Sequence, residues 1–172
     1  MNDRTALLRP TQSDDLSFVL EAEAMAHAAG YVRLWKHDRH RQAIEHGGER
    51  HWIVVDAATQ IRVGYVILQG IQDVDQSLLI KRIVISQPGR GYGHSTLRQV
   101  LVKAFLEFAA HRVWLDVMAD NERARSLYRR LGFVEEGCLR ESVKMADSFK
   151  SVWLMSMLRS EYLAQYGQHE KP

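Results

Sequence analysis

Apolar positions change their spacing several times along the chain, and each change marks an expected element. Residues 5–10 (Thr-Ala-Leu-Leu-Arg-Pro) read as a short strand stopped by Pro10. Thr11 or Ser13 can cap a following helix that carries Leu16, Val19, Leu20 and Ala24 on one side. Residues 31–46 predict a more polar helix, ended by Gly47-Gly48. His51–Asp56 and Ile61–Gly70 read as strands with residues 57–60 turning between them. Over residues 77–86, Leu78, Leu79, Ile80, Ile83, Val84 and Ile85 lack clean alternation, which predicts a strand buried on both faces.

From Gly91 the period becomes helical. Leu97, Val100, Leu101, Ala104, Phe105 and Phe108 form one continuous stripe, predicting a helix over residues 91–109. Arg112–Met118 is a strand. Asp120 or Asn121 then caps a short helix with Ala124, Leu127, Tyr128 and Leu131 on one face, and Gly132 stops it. Residues 133–141 and 150–159 are the final strands, joined by a polar hairpin loop, and little signal follows Ser160. The order β-α-α-β-β-β-α-β-α-β-β predicts an α/β (α+β) mixed sheet, mostly antiparallel, with one right-handed β-α-β crossover. No linker, repeat or low-complexity tract interrupts it. One domain over residues 1–172, with its core at about 5–159, is expected.

A formal net charge of +2 gives no argument for nucleic acid or an acidic membrane as partner. Arg123, Arg125, Arg129 and Arg130 read as the solvated side of a short helix. The single cysteine, Cys138, excludes an intramolecular disulfide and a multi-cysteine zinc site, and no metal is expected. The chain starts without a secretory pattern, and no apolar run reaches the ~20 residues of a membrane span, so a cytoplasmic protein is expected.

Chemistry enters at the loop between the strand at residues 77–86 and the long helix. Pro88 fixes φ for one turn position and Gly89 suits the positive φ of the next. Gly91 and Gly93 remove Cβ atoms that would hold a ligand off the backbone. The free N–H groups of a helix start, aided by its dipole, suit a pyrophosphate. Gly93-His94-Ser95 is not the Gly-Lys-Ser/Thr of a Walker loop, and the glycine spacing is not that of a dinucleotide fingerprint. On the glycines alone, a plain tight turn stays open.

Downstream, Asn121, Ala124, Leu127, Tyr128 and Gly132-Phe133 complete a second motif. With both in place the chain resembles the GNAT superfamily of N-acetyltransferases, whose signature pairs an Arg/Gln-x-x-Gly-x-Gly/Ala loop with an Asn-x-x-Ala-x-x-Leu-Tyr-x-x-x-Gly-Phe helix. The likeness is sharpest over residues 81–139, and the closing strands resemble the branch of the ribosomal-protein alanine acetyltransferases. One position departs: Pro88, which has no N–H, stands where the family has Arg or Gln.

The resemblance implies a GNAT-like fold and an N-acetyltransferase that moves the acetyl group of acetyl-CoA to a primary amine, on a small molecule or a protein N-terminus, within a ternary complex. By the same resemblance, backbone groups of Ile83, Val84 and Ile85 pair with the pantetheine arm. The amides from Arg90 through Gly91, Tyr92, Gly93 and His94 to Ser95 cradle the pyrophosphate. Asn121 bonds the coenzyme arm beside Ala124, and Tyr128 protonates the leaving thiolate. Where similar proteins carry a glutamate as base, this chain has Leu79, and Glu107 is the only carboxylate between Gln76 and Arg112. Glu21, Glu23, His40 and Asp73 could approach the cleft from other elements but read first as surface residues, and Trp35 as either a pocket wall or helix packing. The missing carboxylate and Pro88 keep a non-catalytic acyl-CoA-binding module as the alternative. Monomer and homodimer both remain open.

Overall fold

The computed structural model describes residues 4–167. Its strands are β1 (Ala6–Pro10), β2 (Glu49–Asp56), β3 (Arg62–Gln69), β4 (Ser77–Ile85), β5 (Arg112–Met118), β6 (Val134–Met145) and β7 (Ser148–Leu158). They join in one sheet in the order β1-β2-β3-β4-β5-β7-β6, antiparallel except for β4 beside β5. The helices are α1 (Leu16–Ala28), α2 (His37–Glu45), α3 (Tyr92–Val102), α4 (Glu122–Arg130) and α5 (Arg159–Tyr166). Leu97, Val100 and Leu101 of α3, Tyr128 of α4 and Tyr162 of α5 pack on one face of the sheet. Val19 and Ala22 of α1 pack on the other, against Ile53, Tyr65, Ile67 and Val84. This two-faced burial is why β2 and β3 are apolar almost throughout. Among the described residues, no helix is long and apolar enough to cross a membrane.

The sheet's distinctive feature lies at its centre. β4 and β5 pair only through Ser77–Leu79 and Arg112–Trp114, then diverge. Just past the last pair, Ile67 of β3 faces Arg82 and Leu68 faces Ile80, so Lys81 is the extra residue of a β-bulge. The bulge swaps the faces of β4. Leu78 and Ile80 join the core under α3, whereas Val84 joins the core under α1. The missing alternation in the sequence therefore records a bulge. It does not record burial on both faces, since Lys81, Ile83 and Ile85 are only half-buried.

Other elements differ from expectation for local reasons. The helix expected over residues 31–46 begins only at His37. Ahead of it, the Val32 carbonyl meets His27 Nδ1 at 2.7 Å, and the Trp35 amide donates to Glu23 Oε2 at 3.2 Å, holding residues 31–36 in an irregular path. Thr11 and Ser13 do not cap α1; the Thr11 hydroxyl bonds His51 Nδ1 instead, at 2.8 Å. α3 passes into a π-helical turn over Lys103–Glu107 and stops at Ala109, which has φ 54°. The polar residues expected to form a hairpin loop mostly lie inside β6 and β7, with Met145 facing Ser148. They are polar because β6 is an edge strand open to water. Past the last expected strand, α5 buries Tyr162 against Phe105, with ring centroids 4.7 Å apart.

Candidate active site

The fork between β4 and β5 opens into two contiguous clefts that share Tyr31 and Val32. The first, about 500 Å³, runs over Ile83, Val84 and Ile85 to the glycine loop and α4. On its β3 side β4 is paired from Leu79 to Ile85 apart from the Lys81 bulge; on its β5 side nothing pairs with it beyond Leu79, so main-chain groups face the cleft unpaired. Gly89 and Gly91 have φ of 88° and 85°, where any side chain would be strained. A Cβ on Gly93 would come within 3.3 Å of Leu127 Cδ2, so the loop and α4 can approach this closely only across a glycine. The amides of Tyr92, Gly93 and His94 open α3 and have no carbonyl one turn back. The Ser95 amide is the first to be used inside the helix, donating to the Gly91 carbonyl at 3.1 Å.

Side chains of the same segment fix where those amides point. Tyr92 is buried, and its hydroxyl donates to Asp56 Oδ2 at 2.5 Å while accepting from Arg4 at 3.2 Å. That hydroxyl, with the Thr59 and Ala58 amides, holds the Asp56 carboxyl at about 2, well below the usual carboxylate range. Ser95 Oγ accepts from the Ala6 amide at 2.9 Å. Tyr92 and Ser95 thus clamp α3 onto β1 and β2, and Ser95 lies outside the cleft lining. Arg90 lies outside it too; its carbonyl accepts from the Arg4 amide at 3.3 Å. His94 is exposed at the rim.

Cations reach the cleft from α4 instead. Arg123 and Arg130 line it, and an Arg123 guanidinium nitrogen lies 3.8 Å from where a Gly89 Cβ would stand. The spacing 123, 127, 130 puts them on the face shared with Ala124, Leu127 and Tyr128, a signal hidden when the arginines are read as one solvated block. Arg125 and Arg129 do face away. Arg125 pairs with Glu122 at 2.9 Å and Glu135 at 3.0 Å, and Arg129 with the same carboxylates at 2.8 and 2.6 Å.

At the inner end of the first cleft, Asn121 Oδ1 caps α4 by accepting from the Ala124 amide at 3.2 Å, leaving its NH₂ group to donate. Tyr128 is buried against Phe133, and its hydroxyl has no hydrogen-bond partner among the described residues. Burial first, and the negative charge of Asp116 second, push this phenol above the ordinary tyrosine range. It is therefore fully protonated at neutral pH and able to donate.

The second cleft, about 270 Å³, is built from charged side chains: Arg33, Lys81, Arg82 and Asp116, with Trp35 and Met118. Asp116 stands on β5 beyond the point where β5 leaves β4, exposed, and its field reaches both Tyr128 and Arg82. It is the carboxylate missed in the sequence, because only the segment before Arg112 suggests a base by resemblance. Arg82 is 7% exposed, contacts Glu23, and lies 4.6 Å over the Trp35 ring. Burial lowers it to about 10, so it stays charged at neutral pH. Trp35 belongs to the irregular segment before α2, with Arg39 4.1 Å from the same ring.

Behind this cleft lies a buried polar chain. Glu23 and His40, expected at the surface, are both wholly buried. Glu23 Oε2 meets His40 Nε2 at 3.0 Å, His40 Nδ1 meets His51 Nε2 at 3.2 Å, and His51 Nδ1 meets the Thr11 hydroxyl. Burial pulls the two imidazoles down to about 4 for His40 and about 3 for His51. Glu21 and Asp73 are exposed and line neither cleft. Among the described residues, no group of three or more His, Cys, Asp or Glu side chains has the arrangement of a metal centre.

Proteins similar to this chain include acetyltransferases. The family model described as an acetyltransferase (GNAT) domain matches residues 5–134. Spermidine N(1)-acetyltransferase of Vibrio cholerae is 31% identical over 121 residues, covering 70% of this chain and 69% of the relative. A Bacillus subtilis protein named for ribosomal N-acetylation, YdaF, is 25% identical over 100 residues, covering 58% and 55%. The crystal structure of the Vibrio cholerae spermidine N-acetyltransferase with CoA and spermine superposes with a TM-score of 0.82 at 27% identity, over 92% of this chain and 98% of that one. The chain belongs to the GNAT acetyltransferases, enzymes that use acetyl-CoA to acetylate an amine.

Proposed function

We propose that the two clefts hold the two substrates of one ternary complex, acetyl-CoA in the first and the amine in the second, meeting where β4 leaves β5. The observation that carries this is the bare edge of β4, set between the amides that open α3 and the unpartnered hydroxyl of Tyr128. The pantetheine arm is then bound as an added strand by Ile83, Val84 and Ile85. The pyrophosphate is bound by the amides of Gly91, Tyr92, Gly93 and His94, with charge from Arg123 and Arg130 in place of Arg90 and Ser95. The Asn121 amide group binds the arm beside Ala124.

An amine like that of lysine costs about 4–5 kcal/mol to neutralise at pH 7, given its ordinary pKa of ~10.4. Asp116, exposed in the second cleft, accepts that proton directly or through a water. The amine nitrogen attacks the thioester carbonyl carbon, and an N–H of the free β4 edge stabilises the oxyanion. The C–S bond then breaks, sulfur leaves with the electron pair, and the extra proton left on the amide nitrogen passes to water. A thiol near ~8.5 leaves readily as thiolate, so a hydrogen bond from Tyr128 suffices to stabilise it. No metal enters these steps, and EDTA should leave turnover unchanged. Asp116 also supplies the carboxylate whose absence motivated a non-catalytic module.

Calorimetry with acetyl-CoA, followed by thiol-release kinetics on an amine panel, tests this reading. Tyr128→Phe should lower kcat about 100-fold while acetyl-CoA still binds. Unchanged kcat removes Tyr128 from the mechanism, and no acetyl-CoA binding removes the assignment of the first cleft.

A further inference from the structure

The second cleft carries more positive than negative charge, which bears on what amine it accepts. Its charged lining is Arg33, Lys81, Arg82 and Asp116. Glu23, buried beneath it, balances Arg82. At the rim by Tyr31, Lys150 and Asp120 pair with each other at 2.7 Å. Two cations remain, Lys81 and Arg33; neither forms an ion pair within 4.0 Å among the described residues, and Asp116 is the one carboxylate in the lining to set against their two charges. One positive charge is left over in a space of about 270 Å³. Lys81 is not there by accident of sequence alternation, because the β-bulge makes it the extra residue and brings it to the same cleft as its neighbour Arg82.

A polyamine brings two or more ammonium groups, each needing a carboxylate or carbonyl, to a lining that offers one carboxylate and three cations. A small amine with an anionic oxygen group meets the opposite situation, with its nitrogen beside Asp116 and its anion beside Lys81 and Arg33. We propose that the acceptor is a small primary amine that also bears an anionic group, carboxylate or phosphate, and that Lys81 and Arg33 are its specificity-determining residues. This rests on the second cleft being the acceptor site. The charge surplus selects by repulsion as well as by attraction, since a second ammonium group is excluded by the same side chains that hold the anion.

Coenzyme A release by the full chain, measured with matched amines, tests it. The amines are L-alanine against L-alaninamide, O-phosphoethanolamine against ethanolamine, and spermidine. The anionic member of at least one pair should exceed its neutral partner by about ten-fold in kcat/KM, with spermidine below it. The pair that shows the gap identifies carboxylate or phosphate. Lys81→Ala should raise KM for that acceptor about ten-fold, with kcat within about two-fold. The acetyl-CoA Kd should be unchanged. Because Lys81 occupies a bulge, the exposed Arg33→Ala is the second variant and should move KM in the same direction without altering thermal unfolding. Spermidine turned over better than every anionic amine, or an anionic preference that neither variant reduces, overturns this inference and leaves the acceptor site standing. Acetyl-CoA binding with no turnover of any amine overturns the acceptor site, and this inference with it.

Discussion

The two clefts meet at one fork yet are made of different materials. The first presents main chain: three glycines, the opening amides of α3 and an unpaired strand edge, with apolar side chains filling between them. The second presents charged side chains backed by the buried Glu23–Arg82 pair and two neutral imidazoles. A backbone site can be the same in every enzyme that uses one coenzyme, because amides do not depend on which residue carries them. A side-chain site can change its ligand by single substitutions.

Removing a carboxylate behind the second cleft should have the largest effect. Glu23→Ala leaves Arg82 charged without its carboxylate and His40 Nε2 unpartnered in a buried interior, and the chain should lose about 3–5 kcal/mol of stability. Urea denaturation measures it. A loss below about 1 kcal/mol, the range of exposed pairs, would mean that water reaches this cluster and that the second cleft is not backed by a rigid wall. Asp116→Asn comes next. The substitution keeps shape and removes the proposed base, so kcat should fall about 100-fold, or about 2.7 kcal/mol, with folding intact. The rise of rate with pH should then follow the amine's own ionisation. An unchanged kcat would return the base to a water chain.

In the first cleft the effect should be smaller and should appear in binding. Gly93→Ala places a methyl 3.3 Å from Leu127 Cδ2, a contact that α4 can relieve by shifting a few tenths of an ångström. That shift moves the amides off the pyrophosphate, and acetyl-CoA affinity should drop about ten-fold by calorimetry. Amine KM should stay where it was. If amine KM moved and coenzyme affinity did not, the assignment of the two clefts would be reversed.

The same contrast explains what could be read in the sequence. Glycine spacing, Asn121 and the Ala124–Tyr128 face are local patterns, each short enough to show in consecutive residues, and they led to the first cleft. Most strands were legible for the same reason. The Lys81 bulge was not, because it exists only in the pairing of β4 with β3, and the sequence shows just an irregular apolar run. Glu23, His40 and His51 come from three elements, and nothing near any one of them signals burial; only the fold brings them together. Asp116 sat in plain view within an alternating strand, where an outward carboxylate is ordinary. It gains meaning only because β4 and β5 part beside it.

A pH dependence of stability is expected as well, and it belongs to the buried histidines behind the second cleft. His40 and His51 are held neutral in the fold at about 4 and about 3, against an unfolded value near ~6.5. Both folded values are depressed, so the unfolded chain takes up protons first as pH falls. Stability is full above the unfolded value and is lost on acidification from about 6.5 towards the folded values, at up to about 1.4 kcal/mol per pH unit for each imidazole. Asp15 and Asp56, held at about 2, contribute only in a lower window, below their unfolded values near ~3.9. Unfolding free energies at pH 7 and pH 5 therefore isolate the histidines, and His51→Asn should remove roughly half of the slope between them. Equal stability at the two pH values would mean that the imidazoles protonate in place, and a protonated His40 beside Glu23 would take that carboxylate's charge away from Arg82.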